Sequence, residues 1–207
     1  MPTADEAYAL LLANPQKFLS KYEWWFGAVP HGFDEEEYVL SVQDGYGHPD
    51  RVMVERESQA ADTFRIGAYG VPTEVYRPSE SLAGLEPNPI PLQPPPDAPQ
   101  LIVTTQLSGC TFVYSLAPPQ TPIARHYYDK AHDGAFKMRR SLKRTNRISV
   151  RGHTGRLQFF GRGEYSSDQR CSVVGVYRPN ARRWKFYAQI LSGIHDPQIL
   201  QVMELKP

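Results

Sequence analysis

Apolar and polar positions change period along the chain, and each change marks an element. Tyr8, Leu11 and Leu12 recur at helical spacing between Asp5 and Asn14, with acidic residues in the first turn, so this stretch reads as a helix. Pro15 opens a second short helix through Gln16 to Tyr22, because proline fits a first helical turn. Trp24, Trp25 and Phe26 form an aromatic cluster that reads as core, although an exposed tryptophan pair would instead anchor a partner. The period then drops to two. Tyr38 to Val42 and Arg51 to Glu55 alternate around the turn-rich Gly45-Tyr46-Gly47-His48-Pro49-Asp50, which predicts a β-hairpin, and a helical stretch is expected over Ser58 to Phe64.

In the second half β-formers dominate. Leu101 to Val103 run into a small-residue turn, Ser108-Gly109, with Cys110 at the bend; Thr111 resumes as strand, and Thr121 to Tyr128 returns after a loop at Leu116 to Gln120. Phe136 to Arg147 predicts a helix with a basic outer face built from Lys137, Arg139, Arg140, Lys143 and Arg144. Arg147 to Arg151, Arg156 to Phe160, Cys171 to Tyr177, Trp184 to Ile190 and Ile199 to Leu205 read as strands. Strands outnumber helices and no regular β-helix-β alternation is present. The expected fold is α+β, a twisted, mostly antiparallel sheet or sandwich core with helices on the outside. Prolines at 72, 78, 87, 89, 91, 94, 95, 96 and 99 exclude regular helix or central strand from Pro72 to Pro99. Neither side of that segment looks complete alone, so residues 1–207 are read as a single catalytic domain carrying a proline-rich surface excursion at 72–99.

Charge and composition narrow the function. Lys and Arg total 23 against 22 Asp and Glu, a balance that argues against general nucleic-acid affinity and leaves the basic helix as a solvated face or a steering surface for an acidic partner. No stretch approaches the roughly 18 apolar residues of a membrane span, and Met1 to Glu6 lacks the basic start of a secretory signal. His31 and His48 have no partners at metal-ligand spacing, so no metal or cofactor is expected. Cys110 and Cys171 do not make a disulfide framework, and free thiols in a reducing compartment are expected. Cys171, in an unbroken strand, reads as buried.

Cys110 carries the candidate chemistry. Glycine beside it lets the backbone bend so that a thiol and nearby N–H groups face one point. If Ser115 faces Thr121 across the hairpin, Cys110 faces His126, and directly opposed residues have Cβ atoms roughly 4.5–5.5 Å apart. His132 takes the place of His126 if the hairpin is longer, and Thr105 exchanges with Thr104 if the pleat is shifted by one residue.

Thr104-x-x-Leu107-Ser108-Gly109-Cys110 followed by His126 resembles the catalytic segment of the bacterial glutamine deamidase toxins, the Burkholderia lethal factor and cytotoxic necrotizing factor catalytic-domain type; the chemotaxis receptor deamidase shares a similar arrangement. The resemblance implies the same kind of fold, with Cys110 as nucleophile, His126 as its base and Thr104 orienting the imidazole. Backbone N–H groups around Ser108, Gly109 and Cys110 would hold the oxyanion. It further implies a toxin or effector, a monomer without membrane or direct nucleic-acid partner, made in the bacterial cytoplasm and acting in the host cytosol. Its substrate would be a glutamine of a translation-initiation helicase or a Rho-type GTPase. Two other readings of the residues stand beside it: another thiol acyl transferase, a transglutaminase or protease, and a non-catalytic protein-binding module in which Cys110 is buried and inert.

Overall fold

The computed structural model describes residues 1–46, 48–76, 90–116, 122–128, 157–161, 163–193 and 197–206. Both N-terminal helices form. α1 (Ala4–Ala13) starts in a capping box, in which the Thr3 hydroxyl accepts from the Glu6 N–H and the Glu6 carboxylate accepts from the Thr3 N–H. Asn14 closes α1 and caps α2 (Pro15–Lys21), its side chain accepting the Lys17 N–H at 3.0 Å.

Twelve strands follow among the described residues: β1 (Glu23–Phe26), β2 (Glu35–Gln43), β3 (Arg51–Glu55), β4 (Thr63–Val71), β5 (Thr73–Val75), β6 (Leu101–Thr104), β7 (Thr111–Ser115), β8 (Ile123–Tyr128), β9 (Gln158–Gly161), β10 (Arg170–Arg178), β11 (Arg183–Leu191) and β12 (Ile199–Leu205). Eight of them make a large mixed sheet in the order β1-β3-β2-β4-β6-β10-β11-β12, and four make a smaller one in the order β5-β8-β7-β9. Three pairs are parallel, β1 with β3, β4 with β6 and β5 with β8; the other neighbours are antiparallel.

Strand alternation gives each face of the large sheet its own apolar cluster, and a third lies around Val113, Ile123 and Tyr127 of the small sheet. Ile66 and Ala68 of β4, Leu101 and Val103 of β6, and Val174 and Val176 of β10 join Leu11, Phe18 and Leu19 of the helices in one apolar cluster. From the opposite face of the same strands, Tyr69, Val71, Ile102, Cys171 and Val173 pack with Phe112, Tyr114, Ala124 and Phe160 of the small sheet. Burying a residue such as Leu101 or Phe112 contributes about 1.5–3 kcal/mol, so each face of the large sheet is held by its own layer. The observed fold is therefore sheet-built, with two helices among the described residues covering one face. No described helix is long and apolar enough to cross a membrane.

Several expectations change. The helix expected over Ser58 to Phe64 is absent: Phe64 belongs to β4, whose polar and apolar residues alternate and whose two edges pair with β2 and β6. Residues 58–62 form no regular element, and Thr63 and Phe64 pair with Ser41 and Leu40 of β2, so sheet pairing overrides the local helical spacing. The chain after Val71 is not wholly irregular, since Thr73–Val75 pairs in parallel with β8. The basic helix at 136–147, the strand at 147–151, His132 and residues 77–89 of the proline-rich segment lie outside the described residues.

Candidate active site

The candidate residues gather where the chain twice leaves the large sheet for the small one. The first crossing runs from β4 through Pro72 into β5; the second runs from the end of β6 through residues 105–110 into β7. Val71 and Thr104 are register partners at these two exits, and the Thr104 hydroxyl donates to the Val71 carbonyl at 2.9 Å. That bond ties the crossings together. It also fixes where the threonine's only hydroxyl proton goes.

The other partner of Thr104 is His126. Its Nδ1 lies 2.8 Å from Thr104 Oγ1. A hydroxyl that has donated its proton to a carbonyl can only accept from the ring, so Nδ1 carries the hydrogen. The lone pair of the neutral imidazole is then on Nε2, which is buried and has no hydrogen-bond partner among the described residues. Burial also lowers the basicity of the fully enclosed ring, holding its pKa at about 4 against 6.5 for a free histidine. His126 is thus neutral at physiological pH, in the tautomer a general base needs.

Thr105 reaches the same nitrogen at 3.3 Å, so Thr104 and Thr105 both serve the ring where sequence offered one or the other. The strand ends at Thr104, and past its end the pleat no longer sends neighbours to opposite sides. Thr73 is a third neighbour at 3.2 Å. It faces His126 in the parallel β5–β8 register, a contact between distant segments with no sequence signal.

Cys110 stands at the mouth of β7. The hairpin register differs by two residues from the expected one: Phe112, and not Cys110, lies directly opposite His126. A two-residue shift preserves the face, and Cys110 packs in the same inter-sheet cluster as Phe112 and Tyr114. It turns direct opposition into a diagonal relation, for which Cα separations of about 7–8 Å are usual, so the thiol has not closed on Nε2. Cys110 keeps 9% of its surface accessible.

The turn carrying Cys110 is pinned on three sides. Leu107 exchanges two backbone hydrogen bonds with Cys171, at 2.7 and 2.9 Å. Gly109 takes a φ of 92°, where a side chain would be strained, which explains glycine beside the cysteine. Tyr165 closes the third side, its hydroxyl accepting the Gly109 N–H at 3.1 Å and donating to the Cys110 carbonyl at 2.8 Å. Gly161 permits this approach, since a Cβ there would stand 2.9 Å from the Cys110 carbonyl oxygen and 2.7 Å from Thr111 Oγ1. The Gly109 N–H, expected to face an oxyanion, is therefore already engaged, and it becomes available only when Tyr165 withdraws. Ser108 is exposed at the tip of the turn.

Cys171 is enclosed near the start of β10. Its thiol donates to the Ser172 carbonyl, and burial pushes its pKa well above the ordinary thiol value. In comparisons with known proteins, no family model matches the chain. No curated protein matches it either.

Proposed function

We propose that the chain is a cysteine-dependent protein glutamine deamidase acting as a toxin or effector on a host cytosolic protein. The observation that carries this reading is the tautomer of His126: Thr104 takes the Nδ1 hydrogen and leaves Nε2 able to accept a proton on the sheet face that also carries Cys110, the one described cysteine with solvent access. In the proposed reaction the Cys110 thiol gives its proton to Nε2 and the thiolate adds to the carboxamide carbon of a substrate glutamine. The C–N bond breaks as His126 returns the proton to the departing ammonia. Water then attacks the thioester, giving up a proton to His126, and leaves glutamate and the free thiol. Catalytic hydrogen bonds are commonly long before substrate binds, and the open Cys110–His126 pair fits that pattern. Neither metal nor cofactor enters these steps.

The experiment incubates the protein with translation-initiation helicase and Rho-type GTPase substrates and maps their peptides by mass. Conversion of one glutamine to glutamate by the parent protein, and none by Cys110→Ser, is the expected result. Equal conversion by both sinks the reading, whereas substrate cleavage or amine incorporation assigns the thiol to hydrolysis of peptides or to transglutamination. The full burial of His126 favours one other reading, a partner-binding module in which the same residues serve packing alone. A Cys110 that resists alkylation in the folded protein would decide for it.

A further inference from the structure

We propose that Thr73 and Thr105 act together as a positioning unit for His126, a reading that rests on the proposed Cys110–His126 chemistry. Their hydroxyls lie 2.6 Å apart, and the two oxygens are 3.2 and 3.3 Å from Nδ1. With Thr104 Oγ1 at 2.8 Å, three hydroxyl oxygens surround one ring nitrogen. Among the described residues no carboxylate bonds to this ring, so hydroxyl dipoles take the place that an acid fills in many histidine triads.

The three threonines come from different places. Thr104 ends β6, Thr105 starts the crossing to β7, and Thr73 sits on β5 directly beside His126. The Thr73–Thr105 bond spans the gap between the two crossings, as the Thr104–Val71 bond does on the other side. Once Nε2 accepts the thiol proton, the Nδ1–H carries more positive charge and faces all three oxygens. Fixed dipoles in a half-buried site stabilise that charge with little reorganisation. Thr104 selects the tautomer, and the hydroxyl pair holds the ring at the tilt that presents Nε2 to the thiol. Because each member of the pair fixes the other's rotamer, removal of either disables both.

The test uses the full chain and the rate of Cys110 alkylation by iodoacetamide, which requires no knowledge of the substrate. Thr73→Val and Thr105→Val should each slow alkylation about tenfold, and the double variant should be no slower than either single one. Thr73→Ser, which restores the hydroxyl, should return the parent rate. Proton NMR supplies a readout that lost stability alone does not move: the His126 Nδ1–H resonance, protected in the parent, should exchange rapidly in folded valine variants. Thr73→Ala and Thr105→Ala replace the corresponding valine variants if these fail to fold. Parent rates in the valine variants, losses that multiply in the double variant, or no rescue by serine would each overturn the pairing. Failure to find a deamidated glutamine would count against the proposed function and leave these outcomes decisive for the threonine pair.

Discussion

Cys110 and Cys171 are both buried cysteines of one inter-sheet cluster, yet their surroundings differ in every respect that governs thiol chemistry. Cys171 sits inside an unbroken strand paired on both sides, with its thiol given to a carbonyl and its ionisation suppressed by burial. Cys110 sits where the ladder stops. A left-handed glycine precedes it, a tyrosine hydroxyl grips its backbone, and a neutral histidine held by threonine hydroxyls lies on the same face. Burial alone does not separate the two residues. The end of a strand does, because it releases backbone and side-chain geometry that a continuous ladder would fix.

The sharpest way to break this contrast is to remove each thiol in turn. Cys110→Ser should lower deamidation by about a thousandfold or more, since a nucleophile and its base act as a unit. Cys171→Ala should leave turnover close to the parent and show its cost in stability, measured by thermal melting. A Cys171 variant as inactive as Cys110→Ser contradicts the assignment.

The next effect belongs to His126. Its folded-state pKa of about 4 lies below the 6.5 of the unfolded chain, so the unfolded state binds more protons between these values. Stability is therefore full above pH 6.5 and falls as pH drops toward 4, by on the order of 3 kcal/mol once both states are protonated. Urea unfolding across that window should show the loss, and His126→Gln should flatten it. An unchanged acid slope in the variant assigns the acid sensitivity to other groups.

Thr104→Val comes third. Without the hydroxyl that accepts from Nδ1, the ring can place its hydrogen on Nε2, and turnover should fall on the order of a hundredfold, a neutral hydroxyl holding the tautomer less firmly than a buried carboxylate does. Tyr165→Phe is the smallest perturbation. It keeps the ring packing against Phe160 but removes the hydroxyl that accepts from the Gly109 N–H and donates to the Cys110 carbonyl, so a stability loss of about 1–3 kcal/mol is expected in denaturant unfolding. No loss would mean that the turn holds its shape without the clamp.

Much of this was legible in the chain because it is local. The capped helices, the β2–β3 hairpin and the strands at Cys171, Trp184 and Ile199 each announce themselves by period and turn residues. The bend at Gly109 is readable from one short segment, and the pairing of Thr104 with His126 is what the resemblance carried by that segment implies. What was not legible depends on partners far along the sequence. The helical spacing over Ser58 to Phe64 gives way at Thr63 and Phe64, which pair with β2, and the hairpin register differs by two residues because loop composition does not fix loop geometry. Thr73 and Tyr165 reach the site only through sheet packing, and a lone threonine after a proline or a tyrosine in a turn carries no trace of that destination.

The most direct test of the central claim is the pH dependence of Cys110 alkylation by iodoacetamide in the parent and in His126→Ala, with Cys110→Ser identifying the labelled thiol. The account predicts a Cys110 that reacts while Cys171 stays protected, with a rate that falls when His126, the base that takes the thiol proton, is removed. A Cys110 as inert as Cys171, or one indifferent to the loss of His126, would contradict it.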